Sequence, residues 1–410
     1  MNNMLNNPRL SVSQEAPYDP LQSFMRFNHI ALEGKKEGSL SGLVFAVKDV
    51  FKIVGSTYSN GHPTWLDTHE PDDFTSSFIV NMLNAGADLV GKTICDELCY
   101  SISGENWHYG SAINPHDPRR LTGGSSGGTG AATAGGLVDF AFGSDCLGSV
   151  RVPASYNGLL GIRPTYQRVK NDGEAPYCAS MDVLGYVAAR PDIFERVSQE
   201  ILGEDTQKPK YKKLLIAQDC FDAVDADVSE AFQEAISFIG DKVGSVESVI
   251  VAPEGLDKWV KIFQVVQGYE VWESYGGWVK KYNPTLPPGQ KQRLEVASKI
   301  SLQTYLDAKE EMARIKKHIV KLIPADCIMI LPTAASVAPL KTDSLEQITA
   351  NRLQSSSLLC ISPLAGVPQV TLPLCTMEDV PLGISLIGAE GTDMSLVSFS
   401  TEVTHEFLNT

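Results

Sequence analysis

The chain has 410 residues, with 34 Lys and Arg against 49 Asp and Glu, a formal net charge of -15 at pH 7 and 43% hydrophobic residues. An acidic balance of this size opposes binding to polyphosphate, which excludes nucleic acid as an expected partner, while the apolar fraction is ample for the packed core of a soluble globular protein. The eight cysteines include no C-x-x-C pair and the seven histidines no H-E-x-x-H or H-x-x-E-H spacing, so no metal site is expected. Scattered thiols and an Asn-rich start without the charged and apolar regions of a signal peptide point to the cytoplasm, and no apolar stretch approaches a membrane span.

Residues 1–20 are polar and read as a mobile tail, with one domain expected over 21–410. Leu43 to Val50 reads as a buried strand, Ser76 to Ala87 as an amphipathic helix with a glycine stop, and Asp88 to Val90 as a short strand, an alternation that suggests β-α-β units. Thr129 to Leu137 is made of small residues, as a helix packed tightly on a sheet requires, and Val138 to Phe142 reads as the strand after it. The middle, 196 to 290, mixes a strand at Leu214 to Ala217 with helical segments such as Val228 to Ile239. Thr304 to Leu322 is a long amphipathic helix, and late strands follow at Cys327 to Thr333, Val370 to Leu374 and Gly383 to Gly388, with a last helix from about Met394.

Three stretches carry chemistry. They are the lysine in Leu43-Val44-Phe45-Ala46-Val47-Lys48-Asp49, the run Gly123-Gly124-Ser125-Ser126-Gly127-Gly128, and Gly143-Ser144-Asp145-Cys146-Leu147-Gly148-Ser149-Val150-Arg151. A serine hydroxyl is a poor nucleophile without a neighbouring base, and a lysine serves as that base only in its neutral form, which burial favours. Alone, Lys48 reads as a strand-end lysine facing solvent; with the serine motifs it reads as the base. The glycine run lacks the G-K-[ST] of a phosphate loop, and the polar Asp117-Pro118-Arg119-Arg120 before it is not the strand that a dinucleotide fingerprint needs.

GGSSGG, then GSDxxGSVRVPAS, with an upstream VKD, resemble the signature of the amidase signature family of Ser-Ser-Lys amide hydrolases. The resemblance implies a single α/β/α sandwich with a central mixed β-sheet, Ser149 as nucleophile, Ser125 as bridging serine behind a cis peptide bond, and Lys48 as base. It implies an oxyanion hole from the backbone of Cys146, Leu147, Gly148 and Ser149, and no cofactor. Cys95 to Gly110 resembles the pocket-lining loop of indole-3-acetamide hydrolases, which makes Tyr100, Ser101, Ile102 and Gly124 the substrate-binding candidates. The expected partner is a small, aromatic or other carboxamide, with no membrane partner and a homodimer left open. Asp145 and Arg151 are expected to brace the nucleophile loop, and His108 to be a structural histidine. The chain departs from the family at Cys146-Leu147-Gly148, where the usual pattern has Gly-Gly after a Thr or Ile. Two other readings stay open: a non-catalytic interaction module, and the amidase subunit of a tRNA-dependent amidotransferase.

Overall fold

Aromatic and β-branched residues crowd the strands that run to the centre of the molecule, and in the computed structural model, which describes residues 18–409, they build one mixed sheet. Most of the expected tail lies outside the described residues; at its end, the Asp19 carboxylate accepts the Phe24 N–H at 2.8 Å. The strands are β1 (Val44–Lys48), β2 (Asp88–Thr93), β3 (Phe140–Asp145), β4 (Leu160–Arg163), β5 (Val183–Ala188), β6 (Lys213–Ala217), β7 (Val246–Val249), β8 (Cys327–Pro332), β9 (Gln369–Met377) and β10 (Val380–Ile387). Their order across the sheet is β2-β1-β3-β5-β4-β9-β10-β8-β6-β7.

The two edges are parallel, β1 pairing with β2 and β3, and β6 with β7 and β8, while the centre from β3 to β8 is antiparallel. Parallel neighbours need crossover connections, and helices supply them, so the inner parallel strands β1 and β8 are buried and read as apolar runs, while the edge strand β7 is largely exposed. The antiparallel β9 and β10 need only the two-residue turn Glu378-Asp379, both at positive φ (53° and 61°), the geometry that suits the right-handed twist of a hairpin. The result is the expected α/β class, a central mixed sheet sandwiched by helices.

Phe45 on β1 stacks on Phe140 of β3 with ring centroids 5.4 Å apart, and Phe142 meets Phe45 edge-on at 6.2 Å. All three are fully buried, each worth roughly 1.5–3 kcal/mol of apolar transfer, and they lock the register of the two strands that end at the serine loops. β3 runs three residues beyond the expected Val138–Phe142, because pairing with β1 on one side and β5 on the other carries it through Gly143 and Ser144 to Asp145. The expected helix Val228–Ile239 is two helices, Ala226–Ala231 and Gln233–Val243, parted at Phe232, whose side chain is buried in the core. The middle also holds a 27-residue helix, Leu256–Tyr282, that the sequence reading did not resolve. Its apolar residues fall on most of its circumference, since it packs against the helices Pro288–Ala297, Leu302–Leu322 and Leu345–Leu359, so no single stripe marks it.

At the end of β3 the Asp145 carboxylate gathers the next loop around itself. It accepts backbone N–H groups from Gly148 (2.8 Å), Val150 (3.1 Å) and Arg151 (3.2 Å), and pairs with the Arg151 guanidinium at 2.8 Å and the Arg163 guanidinium at 3.5 Å. Burial alone raises a carboxyl pKa, but these two cations and the N–H donors outweigh it and hold Asp145 well below the usual carboxylate range. A depressed folded-state pKa stabilises the fold above the ordinary carboxylate pKa, and that contribution is lost as pH falls through the folded value. Asp145→Asn leaves two buried guanidiniums without their counter-ion and is expected to cost about 3–5 kcal/mol of unfolding free energy by urea denaturation at pH 7; a cost under about 1 kcal/mol means the carboxylate does not hold the loop.

Candidate active site

Val47 on β1 lies opposite Phe142 on β3, and the strands are parallel, so Lys48 and Ser144 emerge from the same end of adjoining strands. The Lys48 side chain is fully buried, and its Nζ donates to Ser125 Oγ at 2.7 Å and to Ser144 Oγ at 2.9 Å. The Asp beside it serves another group. Side chains alternate along a strand, and Asp49 turns to Lys92, 3.6 Å away, while it accepts the Ser59 N–H at 2.9 Å and the Asn28 amide at 2.7 Å.

Ser125 sits between a cis Gly124–Ser125 peptide and the helix Gly127–Ala134, with its carbonyl accepting the Asp96 N–H at 3.2 Å. Ser149 precedes the helix Arg151–Tyr156, and the Ser126 N–H donates to its carbonyl at 3.2 Å, which stitches the two serine loops together through the backbone. No hydrogen bond links the two hydroxyls directly; their approach rests on that backbone bond.

The surroundings of Lys48 work against the neutral amine that burial alone favours. Burial does favour the neutral form, but Cys99, Cys95 and Glu174 around it outweigh burial and leave the lysine pKa above its ordinary value. In return Cys99 is pulled down to about 6, first by a hydrogen bond from Cys95 and then, against burial, by Lys48 and Ser125. Leu98 and Cys99 both take left-handed backbone (φ 51° and 56°), sparsely populated for residues with a Cβ, and Asn60 holds them by accepting the Leu98 N–H at 2.8 Å and the Cys99 thiol at 3.7 Å. That turn aims the thiol at Lys48.

Four backbone N–H groups were expected to face the substrate oxygen, and one of them is already committed. The Gly148 N–H belongs to Asp145, so it is withdrawn from the set, and the N–H groups of Cys146, Leu147 and Ser149 are left without partners among the described residues. Gly148 instead supplies shape. Its φ is +97° and a Cβ there would meet Leu359 side-chain carbons at 2.7 Å, so glycine is required at 148, whereas Leu147 keeps its φ outside the left-handed region and tolerates a side chain.

Ser149 opens into a cavity of about 30 Å³, room for little more than two water-sized spheres, whose wall includes Tyr100, Ser101, Ile102, Cys146 and Leu147. Gly124 is not part of that wall. Its N–H is bonded to the Ile102 carbonyl at 2.8 Å and a Cβ on it would fall 2.4 Å from the Asp96 carboxylate, so it packs behind the site. His108 is structural, its Nε2 2.9 Å from the Thr285 carbonyl. Asp96 and Glu97 face different partners, the Gly104 N–H at 3.1 Å and the Trp107 N–H at 2.6 Å, and burial lifts each to about 7.

Sequence reasoning missed Ser144, Cys99, Tyr177, Gln267, Arg293 and Arg352, all at Lys48 or in the cavity wall. Ser144 and Cys99 lay inside motifs already singled out and were recoverable from strand register and loop position. The other four come from distant segments with no local signature.

Comparisons with known proteins agree with this geometry. Residues 7–237, more than half of the chain, match the family described as Amidase. The chain is 31% identical to Amidase 1 of Arabidopsis thaliana over 88% of its own length and 92% of that protein's. It is also 31% identical to the translocon at the outer membrane of chloroplasts 64 of Pisum sativum, covering 87% of this chain but only 65% of the pea protein. A crystal structure of an amidase superposes with a TM-score of 0.80 at 25% identity, over 90% of this chain and 86% of that one. The chain therefore belongs to the amidase family, a family of amide-hydrolysing enzymes.

Proposed function

We propose that the protein is an amidohydrolase that converts a small carboxamide to a carboxylate and ammonia through an acyl-enzyme on Ser149. The observation that carries the reading is the buried Lys48 Nζ to Ser125 Oγ contact of 2.7 Å beside the Ser149 loop. Ser149 Oγ attacks the amide carbon while its proton passes through Ser125 to Lys48 in its neutral form. The N–H groups of Cys146, Leu147 and Ser149 are the donors for the oxyanion, each worth roughly 3–4 kcal/mol where correctly placed. Collapse breaks the C–N bond, the stored proton leaves with ammonia, and water hydrolyses the ester to release the acid and restore Ser149. Eight unpaired, buried cysteines support a reducing compartment, and we place the enzyme in the cytoplasm. An interaction module has no use for a buried lysine–serine pair; the amidase subunit of an amidotransferase would use the same pair to free ammonia, and the acidic net charge of the chain, which gives no help with tRNA, is what speaks against it.

Ser149→Ala is expected to lower ammonia release from the best of a panel of small amides by at least about 10³-fold, and a fluorophosphonate probe is expected to label Ser149 in the wild type as read by peptide mass spectrometry. Labelling at another residue removes the nucleophile assignment.

Because the lysine pKa is raised, the neutral base is scarce at neutral pH and kcat/KM is expected to climb on the alkaline side. Cys99→Ala removes the first of the neighbours that raise the lysine pKa, and is expected to move the climb to lower pH in a pH–rate profile. An unmoved or oppositely moved profile rules out the lysine–thiol coupling.

Leu147→Gly is expected to preserve folding, change kcat on small amides by less than about tenfold, and raise kcat/KM for amides with bulkier acyl groups, since the leucine walls the cavity. A wild type inert on every amide, with activity gained by Leu147→Gly, makes the chain a decayed enzyme.

A further inference from the structure

Arginines in this protein that leave solvent generally find a carboxylate. Arg151 and Arg163 share Asp145, Arg168 pairs with Asp205 at 3.1 Å, and Arg120 lies 3.4 Å from Asp117. Three partly buried arginines break that pattern: Arg196, whose guanidinium donates to the Ser39 carbonyl, and Arg293 and Arg352, which line the cavity at Ser149.

Arg293 comes from the helix Pro288–Ala297 and Arg352 from the helix Leu345–Leu359. Among the described residues neither forms an ion pair with an Asp or Glu. Arg293 gives one N–H to the Tyr100 carbonyl and lies over the Tyr100 ring, 5.3 Å from its centroid, while its buried Nε has no partner. The Arg352 guanidinium makes no hydrogen bond among the described residues. The two cations feel each other: burial first, then Arg293, pull Arg352 down to about 10. A fold that holds two guanidiniums together in a narrow pocket without a counter-ion bears a desolvation and repulsion cost that an anion in the pocket relieves, and the planar forks match a carboxylate bidentately, the smallest such anion a carboxamide substrate can carry.

We infer that Arg293 and Arg352 form a carboxylate subsite, so that the substrate is an amide carrying a free carboxylate a few bonds from the scissile carbonyl, a short dicarboxylic acid half-amide in class. This rests on Ser149 as nucleophile and narrows the proposed function to an anionic substrate instead of an aromatic one. The arginines bind the carboxylate, which sets the distance at which the amide carbonyl reaches Ser149, and the small cavity limits the linker between the two groups to a short one.

The test has a hydrolysis arm and a binding arm. In the first, kcat/KM is measured for the half-amides of malonic, succinic and glutaric acids against the matching methyl-ester amides, which lack the charge and carry one added methyl, and against the matching diamides, which lack the charge at nearly the same size. At least one half-amide is expected to exceed its neutral matches by about tenfold or more, the scale of charge-assisted hydrogen bonds, and Arg352→Gln is expected to bring that ratio close to one. In the second, the full-length Ser149→Ala chain, which needs no turnover, is heated with succinate or with its dimethyl ester. Succinate is expected to raise the melting temperature progressively, with the logarithm of its concentration once the site fills, the ester not, and Arg352→Gln or Arg293→Gln in that background to abolish the shift.

Without ligand, Arg352→Gln is expected to melt no lower than the parent, because it removes an uncompensated charge; a lower melting temperature identifies a structural arginine and overturns the proposal. Hydrolysis of neutral amides with no succinate binding overturns the subsite and leaves the hydrolase reading intact. Arginine-dependent succinate binding without hydrolysis of any amide upholds the subsite and removes the hydrolase reading.

Discussion

The loop that carries Ser149 depends on one buried carboxylate. Asp145 ends β3 and, from that position, takes three backbone N–H groups of the following turn and two guanidiniums. Arg151, one of the two, reaches on to the Leu359 carbonyl at 3.0 Å and the Gln369 side chain at 2.7 Å, so the same ion pair ties the turn to the helix that carries Arg352 and to β9. A buried pair of this kind is weak evidence for net stability, since its desolvation is expensive. Its value lies in geometry: an ionised Asp145 admits few arrangements of the loop, and in the one adopted the Gly148 N–H turns inward, leaving the neighbouring N–H groups uncommitted.

The two buried lysines of β1 and β2 are solved differently. Lys92 has a carboxylate, Asp49, at 3.6 Å, the Ser56 hydroxyl at 2.7 Å and the Thr57 carbonyl at 3.1 Å, a closed structural arrangement. Lys48 has two serine hydroxyls as direct partners and a thiol within electrostatic reach. Hydroxyls accept and donate, so they can pass a proton on, which a carboxylate locked in an ion pair cannot do at neutral pH. The cost of building that environment shows in the backbone, where two successive non-glycine residues, Leu98 and Cys99, are left-handed.

The cavity combines a tight acyl side with a positive far side. Leu147 sits where the family pattern has glycine and narrows the space next to Ser149, while Arg293 and Arg352 arrive from helices remote in sequence. Tyr100 connects the two sides, its carbonyl accepting from Arg293 and its ring lying beneath the guanidinium. The wall of the cavity is therefore drawn from residues that share no motif.

The class of fold and the motifs that hold Lys48, Ser125 and Ser149 were legible from the chain alone, because each motif is short and set in runs whose apolar periodicity marks strands and helices; the roles of the three residues came from the resemblance to a family. The same is true of Asp145 and Arg151 as braces, six residues apart. What lay beyond reach has a common physical cause. The end of β3 depends on hydrogen bonds from β1 and β5, the orientation of the Gly148 N–H depends on a carboxylate three residues away, the charge of Lys48 depends on Cys99 and Glu174, and the arginines depend on helices that meet only in the folded chain. The long helix Leu256–Tyr282 escaped notice for the related reason that it is buried on several sides, so its periodicity is erased. Local sequence specifies which groups can react; long-range packing specifies their protonation, the donors left free to act, and the shape and charge of what they meet.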